Sequence, residues 1–380
     1  MRDTAERRSD ASIVVVKIGS STLVDERGQV RRDYFAALAQ QVGAVRAAGW
    51  SPIIVSSGAI ACGLPLMGLT RRPADMPSLQ AAASVGQNVL AAAYAESFGP
   101  LGITTSQVLL TRHDTARRSA YLHARDALLA LVSYGVVPVV NENDTTSVEQ
   151  IRFGDNDTLS ALVSCLVKAD LSVIFSDVDG LYTANPATDP AARKIDRVER
   201  IDEAMLASAG GAGSSVGTGG MITKLKAARV LMTAGIPLVI CSGAEPDALP
   251  RIVAGKAVGT RFAARAPRHE ITNYKLWIAL GDAAKGSLSV DDGARAALID
   301  GGKSLLCVGV TAAHGSFEAG DIVDIKDSCG HVFARGKVSA SFDEVELARG
   351  HSSAQMASNR LLAPLAEKPL VHRDELVVFD

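Results

Sequence analysis

Cysteine is scarce in this chain and charge is balanced, and each shortage excludes a class of protein. The five cysteines (Cys62, Cys165, Cys241, Cys307 and Cys329) are odd in number, scattered, and never in C-x-x-C spacing. A disulfide framework or a zinc site is therefore not expected, and a reducing cytoplasm fits. The 39 Lys and Arg residues against 41 Asp and Glu leave a formal net charge of −2 over 380 residues. No bulk field draws the chain to a nucleic acid or a membrane surface. No apolar stretch has the roughly 20 residues a membrane span needs, and the best candidate, 128–140, is broken by Gly135 and Pro138. The first ten residues, MRDTAERRSD, are polar and do not read as a secretory signal. Two familiar phosphate motifs are missing too. The pattern G-x-x-x-x-G-K-S fails because Ala297 stands where its first glycine belongs, and no G-x-G-x-x-G follows the first strand.

What is present is an alternation. Continuous Val- and Ile-rich runs at 13–18, 52–55, 104–110, 136–140, 171–175 and 236–241 suit strands buried on both faces of a parallel sheet. Between them, 33–48, 79–98, 119–133, 158–168 and 221–234 have the length and patterning of helices. The alternation predicts an open, mostly parallel sheet with helices on both faces, an αβα sandwich, over 12–264. A polar tail covers 1–11, and the glycine-rich stretch 210–220 reads as a mobile loop. The pattern changes near 263–269, and short alternating segments over 270–372 predict a small β-rich domain.

In an open α/β sheet the site forms beyond the carboxyl ends of the strands. Lys17-Ile18-Gly19-Ser20-Ser21 closes the first strand, Ser56-Ser57-Gly58 the second, Asn141-Glu142-Asn143-Asp144 the fourth and Ser176-Asp177 the fifth. Gly154-Asp155-Asn156-Asp157 and Gly217-Thr218-Gly219-Gly220-Met221-Ile222-Thr223-Lys224 open helices. Each has a plainer reading. Lys17 could extend from a strand end to water, Asn141 and Asp144 could close Asx turns, and Asp157 and Thr218 could be helix N-caps. Against these, an ammonium directly after three valines is costly to leave unpaired. Lys224, in an early helical turn, also opposes the macrodipole unless an anion sits there. Two lysines, glycine-rich turns and several carboxylates form the set that phosphoryl transfer uses.

The runs VVVKIGSS, VSSGAI, VVPVVNENDT, FGDNDTLSA, SDVDGLYTANP and GTGGMITK, in that order, resemble the glutamate 5-kinase branch of the amino acid kinase (carbamate kinase-like) family. The resemblance covers 13–262. The segments KLWIAL, VDDGARAAL, GGKSLL and GDIVDI after it look like a PUA domain. The resemblance implies ATP-dependent phosphorylation of the L-glutamate side chain to L-glutamyl 5-phosphate, the first step of proline biosynthesis. It also implies Mg²⁺ bridging the phosphates, for which no residue is singled out as a ligand, a homo-oligomer, and proline as an inhibitor. Carried over residue by residue, Lys17 and Lys224 contact the transferring phosphoryl group and Asp157 holds both. Ser57, Asp144 and Asn156 bind glutamate, with Asn141 and Asp155 nearby. Lys17, Ser176, Asp177, Thr218, Gly219, Gly220, Met221, Ile222, Thr223 and Lys224 hold the nucleotide. Ser176 stands where threonine is expected, which keeps the hydroxyl. Asn185 stands where aspartate is common, which removes a carboxylate beside the nucleotide. Two alternatives stay open: a family member acting on aspartate, N-acetylglutamate, carbamate or a nucleoside monophosphate, and an RNA-binding PUA protein. Residues 268–380 carry twelve basic against sixteen acidic side chains, which disfavours phosphate-backbone binding.

Overall fold

The computed structural model describes residues 11–111, 118–146, 156–186, 188–209, 220–264, 275, 278, 279 and 284–379. The chain divides into two compact units, Met1–Ala266 and Pro267–Asp380.

In the first unit, β1 (Ile13–Ile18), β2 (Ser51–Val55), β3 (Thr105–Leu110), β4 (Val137–Glu142) and β5 (Leu171–Ser176) are followed by three two-residue strands. Of these, β6 (Leu181–Tyr182) pairs only with β7 (Lys194–Ile195), in an antiparallel hairpin. The third, β8 (Arg197–Val198), joins β9 (Leu238–Ser242) and β10 (Thr260–Phe262) in the main sheet. Its eight strands run in the order β3-β4-β2-β1-β5-β9-β10-β8. The six from β3 to β9 are parallel, and β10 turns antiparallel to β9. The parallel strands lie within a few residues of the Val- and Ile-rich runs. The reversed edge is a finding that periodicity does not announce, because strands of two or three residues carry no pattern.

The helices are α1 (Ser20–Leu23), α2 (Arg32–Ala47), α3 (Ala59–Leu66), α4 (Met76–Phe98), α5 (Arg118–Ser133), α6 (Asn156–Leu166), α7 (Glu203–Ala209), α8 (Met221–Thr233) and α9 (Ala248–Val253). The strands alternate their burial between two faces. Val14, Val16, Ile18, Val173, Phe175 and Val239 pack into one core with Phe35, Leu38 and Val42 of α2, Leu90 and Tyr94 of α4, and Leu249 of α9. Val15, Ile53, Ile174 and Ile240 are buried outside that cluster, pointing to the opposite face. The handedness of crossovers agrees: connections running towards β3 place α2, α3 and α4 on one face, and those running back place α5, α6 and α8 on the other.

Helix starts follow local chemistry. α4 begins at Met76 rather than 79, because the Asp75 carboxylate accepts from the Ser78 amide at 2.9 Å and a proline stands in the first turn. α3 lies outside the helical segments read from the sequence: it contains Gly63 and Pro65, both poor helix formers, yet it forms after Gly58, whose φ of 98° suits glycine. α8 is capped at Gly220, not at Thr218. Thr218, with the rest of 210–219, lies outside the described residues.

The second unit holds a five-stranded sheet of β11 (Gly286–Val290), β12 (Val310–Gly315), β13 (Ile322–Lys326), β14 (Val332–Val338) and β15 (Val371–Val378), in the order β12-β11-β13-β14-β15. Leu288, Val323, Ile325, Phe333 and Val371 centre a core of its own. No helix among the described residues is long and apolar enough to cross a membrane.

Candidate active site

The strand order opens crevices at the carboxyl edge of the sheet. Neighbouring strands whose following helices go to opposite faces leave a gap between their ends. This happens between β4 and β2, and again between β1 and β5. The first crevice receives Ser57 after β2, with Asn141 and Asp144 at the end of β4. The second receives Lys17 and Gly19 from β1, with Ser176 and Asp177 from β5. There the Gly19 amide donates to the Phe175 carbonyl at 3.2 Å, closing the turn against β5.

Asp157, in the first turn of α6, is completely buried. Its Oδ1 lies 2.7 Å from Lys17 Nζ and its Oδ2 3.1 Å from Lys224 Nζ. The Thr223 hydroxyl donates to Oδ2 at 2.8 Å. Burial pushes this carboxyl up, and the two ammonium groups overcome that and hold it down at about 2. The plainer reading of Asp157 as an N-cap does not fit, since its side chain is engaged by two lysines from distant segments. Lys17 and Lys224 are 7% and 4% exposed, so neither snorkels to water. One carboxylate shared by two buried cations makes a trio that holds two ammonium groups close together, an arrangement suited to an arriving anion.

The first crevice is built of amides and hydroxyls. The side-chain NH₂ of Asn156, at the first position of α6, offers two protons to three acceptors, one proton being shared: the Ser56 carbonyl, Ser57 Oγ at 3.0 Å and Asn141 Oδ1 at 2.8 Å. Asn141 Nδ2 donates in turn to Gln87 Oε1 of α4 at 2.8 Å, and the Tyr94 hydroxyl to Ser56 Oγ at 3.0 Å. Asn141 sits inside β4, paired with Leu109 of β3, rather than in an Asx turn. Asp144 is half-buried, and burial raises its carboxyl to about 6 against the opposing pull of Arg72. Asp155 lies outside the described residues.

At the second crevice the Ser176 hydroxyl donates to Asp177 Oδ1 at 2.9 Å. Gly220, Met221, Ile222, Thr223 and Lys224 form the cap and first turn of α8, which brings the positive amino end of that helix beside Asp157. Gly219 lies outside the described residues. A cleft of about 150 Å³ is lined by Asp179, Lys194, Ser242, Glu245, Arg251 and neighbouring residues. Its charges pair with each other, Lys194 with Asp179 at 3.4 Å and Arg251 with Glu245 at 2.5 Å, which leaves the lysine trio as the better anion centre. Among the described residues no group of three or more metal-ligating side chains occurs.

Gln87 and Tyr94 are the residues that sequence reading missed. The available signal was small: a glutamine seven positions before a tyrosine, on the apolar face of a long helix.

The amino acid kinase family profile matches residues 12–242, and the PUA domain profile residues 286–358. A protein named glutamate 5-kinase from Syntrophotalea carbinolica is 45% identical over 97% of this chain and 98% of its own length. Proteins of the same name from Gloeobacter violaceus and Geobacter sulfurreducens are 46% and 44% identical, each over 96% of this chain and over 99% and 97% of their own lengths. With the trio and the two crevices in place and similarity spanning almost the whole length, the chain belongs to the amino acid kinase family, in its glutamate 5-kinase branch with a PUA domain.

Proposed function

We propose that this chain transfers the γ-phosphoryl group of ATP to the side-chain carboxylate of L-glutamate, giving L-glutamyl 5-phosphate and ADP, the first step of proline biosynthesis. The observation that carries the reading is the meeting of Lys17 and Lys224 on Asp157, with an amide-lined crevice on one side and a glycine-rich one on the other. The names of the relatives support glutamate as the acid.

Ser57, Asp144 and Asn156, with Asn141 and Asp155 beside them, hold the amino acid. Ser176, Asp177, Thr218, Gly219 and the turn from Gly220 to Lys224 hold the nucleotide. A carboxylate with an ordinary pKa of about 4.3 is already ionised at neutral pH, so attack on the γ-phosphorus needs no general base. One carboxylate oxygen forms the new P–O bond as the bond to the ADP oxygen breaks. The obstacle is repulsion between two anions, and Lys17 and Lys224 offset it while Asp157 keeps their ammonium groups in place. The residues that hold the nucleotide would receive ATP together with Mg²⁺, which would supply counter-charge to its phosphates. The enzyme works in the cytoplasm as a homo-oligomer. Free proline, with glutamate's α-carboxylate and amino nitrogen but no γ-carboxylate, occupies the same crevice without reacting.

The test is a panel in which the chain, Mg·ATP and hydroxylamine are incubated with glutamate, aspartate or N-acetylglutamate, and ADP release is followed with carbamate and UMP. Glutamate should yield the acyl hydroxamate, and proline should suppress it in a way that saturating glutamate relieves. Turnover of another member of the panel with none of glutamate would replace the substrate.

A further inference from the structure

Gln87 stands on the buried face of α4, three residues before Leu90 and seven before Tyr94, and is 7% exposed. An apolar residue there would pack at no polar cost, so a buried amide calls for a partner that uses it. We propose that Gln87 is a positioning residue that fixes the amide polarity of the glutamate-holding crevice, acting through Asn141 and Asn156. The inference rests on the assignment of that crevice to the amino acid.

The argument starts from an atom with no freedom. The Ser56 carbonyl oxygen can only accept, so the Asn156 side chain must turn its NH₂ towards it. That NH₂ also faces Asn141 at 2.8 Å, so Asn141 must present its oxygen to Asn156 and its own NH₂ on the other side. There it meets Gln87 at 2.8 Å, which must present Oε1. The chain of amides therefore runs from α4 on one face of the sheet, past the end of β4, to the first residue of α6 on the other face.

The far end of the relay has defined polarity. Asn156 Oδ1 receives no hydrogen bond from any described residue and is left as an acceptor. Ser57 Oγ accepts from Asn156 at 3.0 Å and keeps its proton to donate. An acceptor beside a donor matches the ammonium and the carboxylate of an α-amino acid. If Gln87 lost its acceptor, Asn141 would strand a buried NH₂ or flip it against that of Asn156. Either outcome disturbs binding of the acid, not the phosphoryl chemistry at the lysines.

The experiment measures kcat and KM for glutamate and for ATP, by hydroxamate formation, in the full-length wild type, Gln87→Leu and Gln87→Glu, with thermal unfolding of each. Gln87→Glu keeps an oxygen acceptor in nearly the same volume, and Gln87→Leu keeps none. Gln87→Leu should raise KM for glutamate about tenfold, with kcat and KM for ATP within about twofold, and Gln87→Glu should return it to within about threefold of wild type. If Gln87→Leu does not fold, Gln87→Met, unbranched and with only a weakly accepting sulfur, takes its place with the same expectation. An unchanged KM in the acceptor-free variant overturns the relay, as does an equal rise in both variants, which would reduce Gln87 to packing. A wild type that makes no glutamate hydroxamate overturns the substrate assignment and the relay with it, and is a result distinct from a relay failure in an active enzyme.

Discussion

At the scale of single residues, two carboxylates of the site are driven in opposite directions. Asp157 is held down by two ammonium groups, and it stays ionised until the pH falls to about 2. Its folded-state pKa lies below the ordinary value, so its contribution to stability is complete above that value and is lost as pH falls towards 2. It therefore sets no limb of the activity profile near neutrality. Asp144 is pushed up to about 6 by burial. In the proposed role as partner of the glutamate ammonium, it must be charged to work. KM for glutamate should then rise about tenfold between pH 7 and pH 5, since glutamate's own side chain stays ionised over that range. The stability linkage runs the other way. A carboxyl whose folded pKa is raised favours the folded state more as pH falls through 6 towards its ordinary value. Opposite slopes in KM and in stability, both abolished in Asp144→Asn, identify this group. A flat KM across the range removes it from the subsite.

Among the structural elements, α4 acts as the brace of the proposed amino-acid crevice. It carries Gln87 and Tyr94 to Asn141 and Ser56, and Tyr94 is itself wedged edge-on between Phe35 and Phe98, with ring centroids 4.8 and 5.8 Å away. α4 can approach this closely because Gly86 lies against the Ala59 carbonyl of α3, and Gly63 against that of Ala82, leaving no room for a Cβ at either position. Gly86→Ala should force the helices apart, costing about 1–3 kcal/mol of stability and raising KM for glutamate as Gln87 and Tyr94 withdraw. Gly99→Ala, at the far end of the same helix with nothing within 4 Å, should change neither. Equal behaviour of the two variants would show that the close crossing does not support the crevice. The parallel strands and long helices of this unit were legible because buried parallel strands read as unbroken apolar runs. α3 was not, because its glycine and proline look like breakers until α4 is seen packed on them. The strand-end clusters stood out in the sequence, and Lys17, Asp157, Lys224, Ser57, Asn141 and Asn156 do converge. Gln87 and Tyr94 were illegible because their task depends on a helix crossing that no local pattern encodes.

For the molecule as a whole, the sheet order places the proposed amino-acid crevice and the proposed nucleotide crevice two strands apart, on the order of 10 Å, with Asp157 following Asn156 of the first and holding Lys17 and Lys224 of the second. The second unit has its own sheet and core, and none of the side chains assigned to chemistry lies in it. The central claim is that Lys17 and Lys224 carry the charge of the transferring phosphoryl group. It is tested most directly by kcat at saturating glutamate and Mg·ATP for Lys17→Ala and Lys224→Ala, measured as hydroxamate formation by the full chain. The account predicts a fall of at least about a hundredfold in each, close to 3 kcal/mol of barrier, with KM for glutamate within about threefold of wild type. A kcat within about threefold of wild type for either variant, under about 1 kcal/mol, would contradict it.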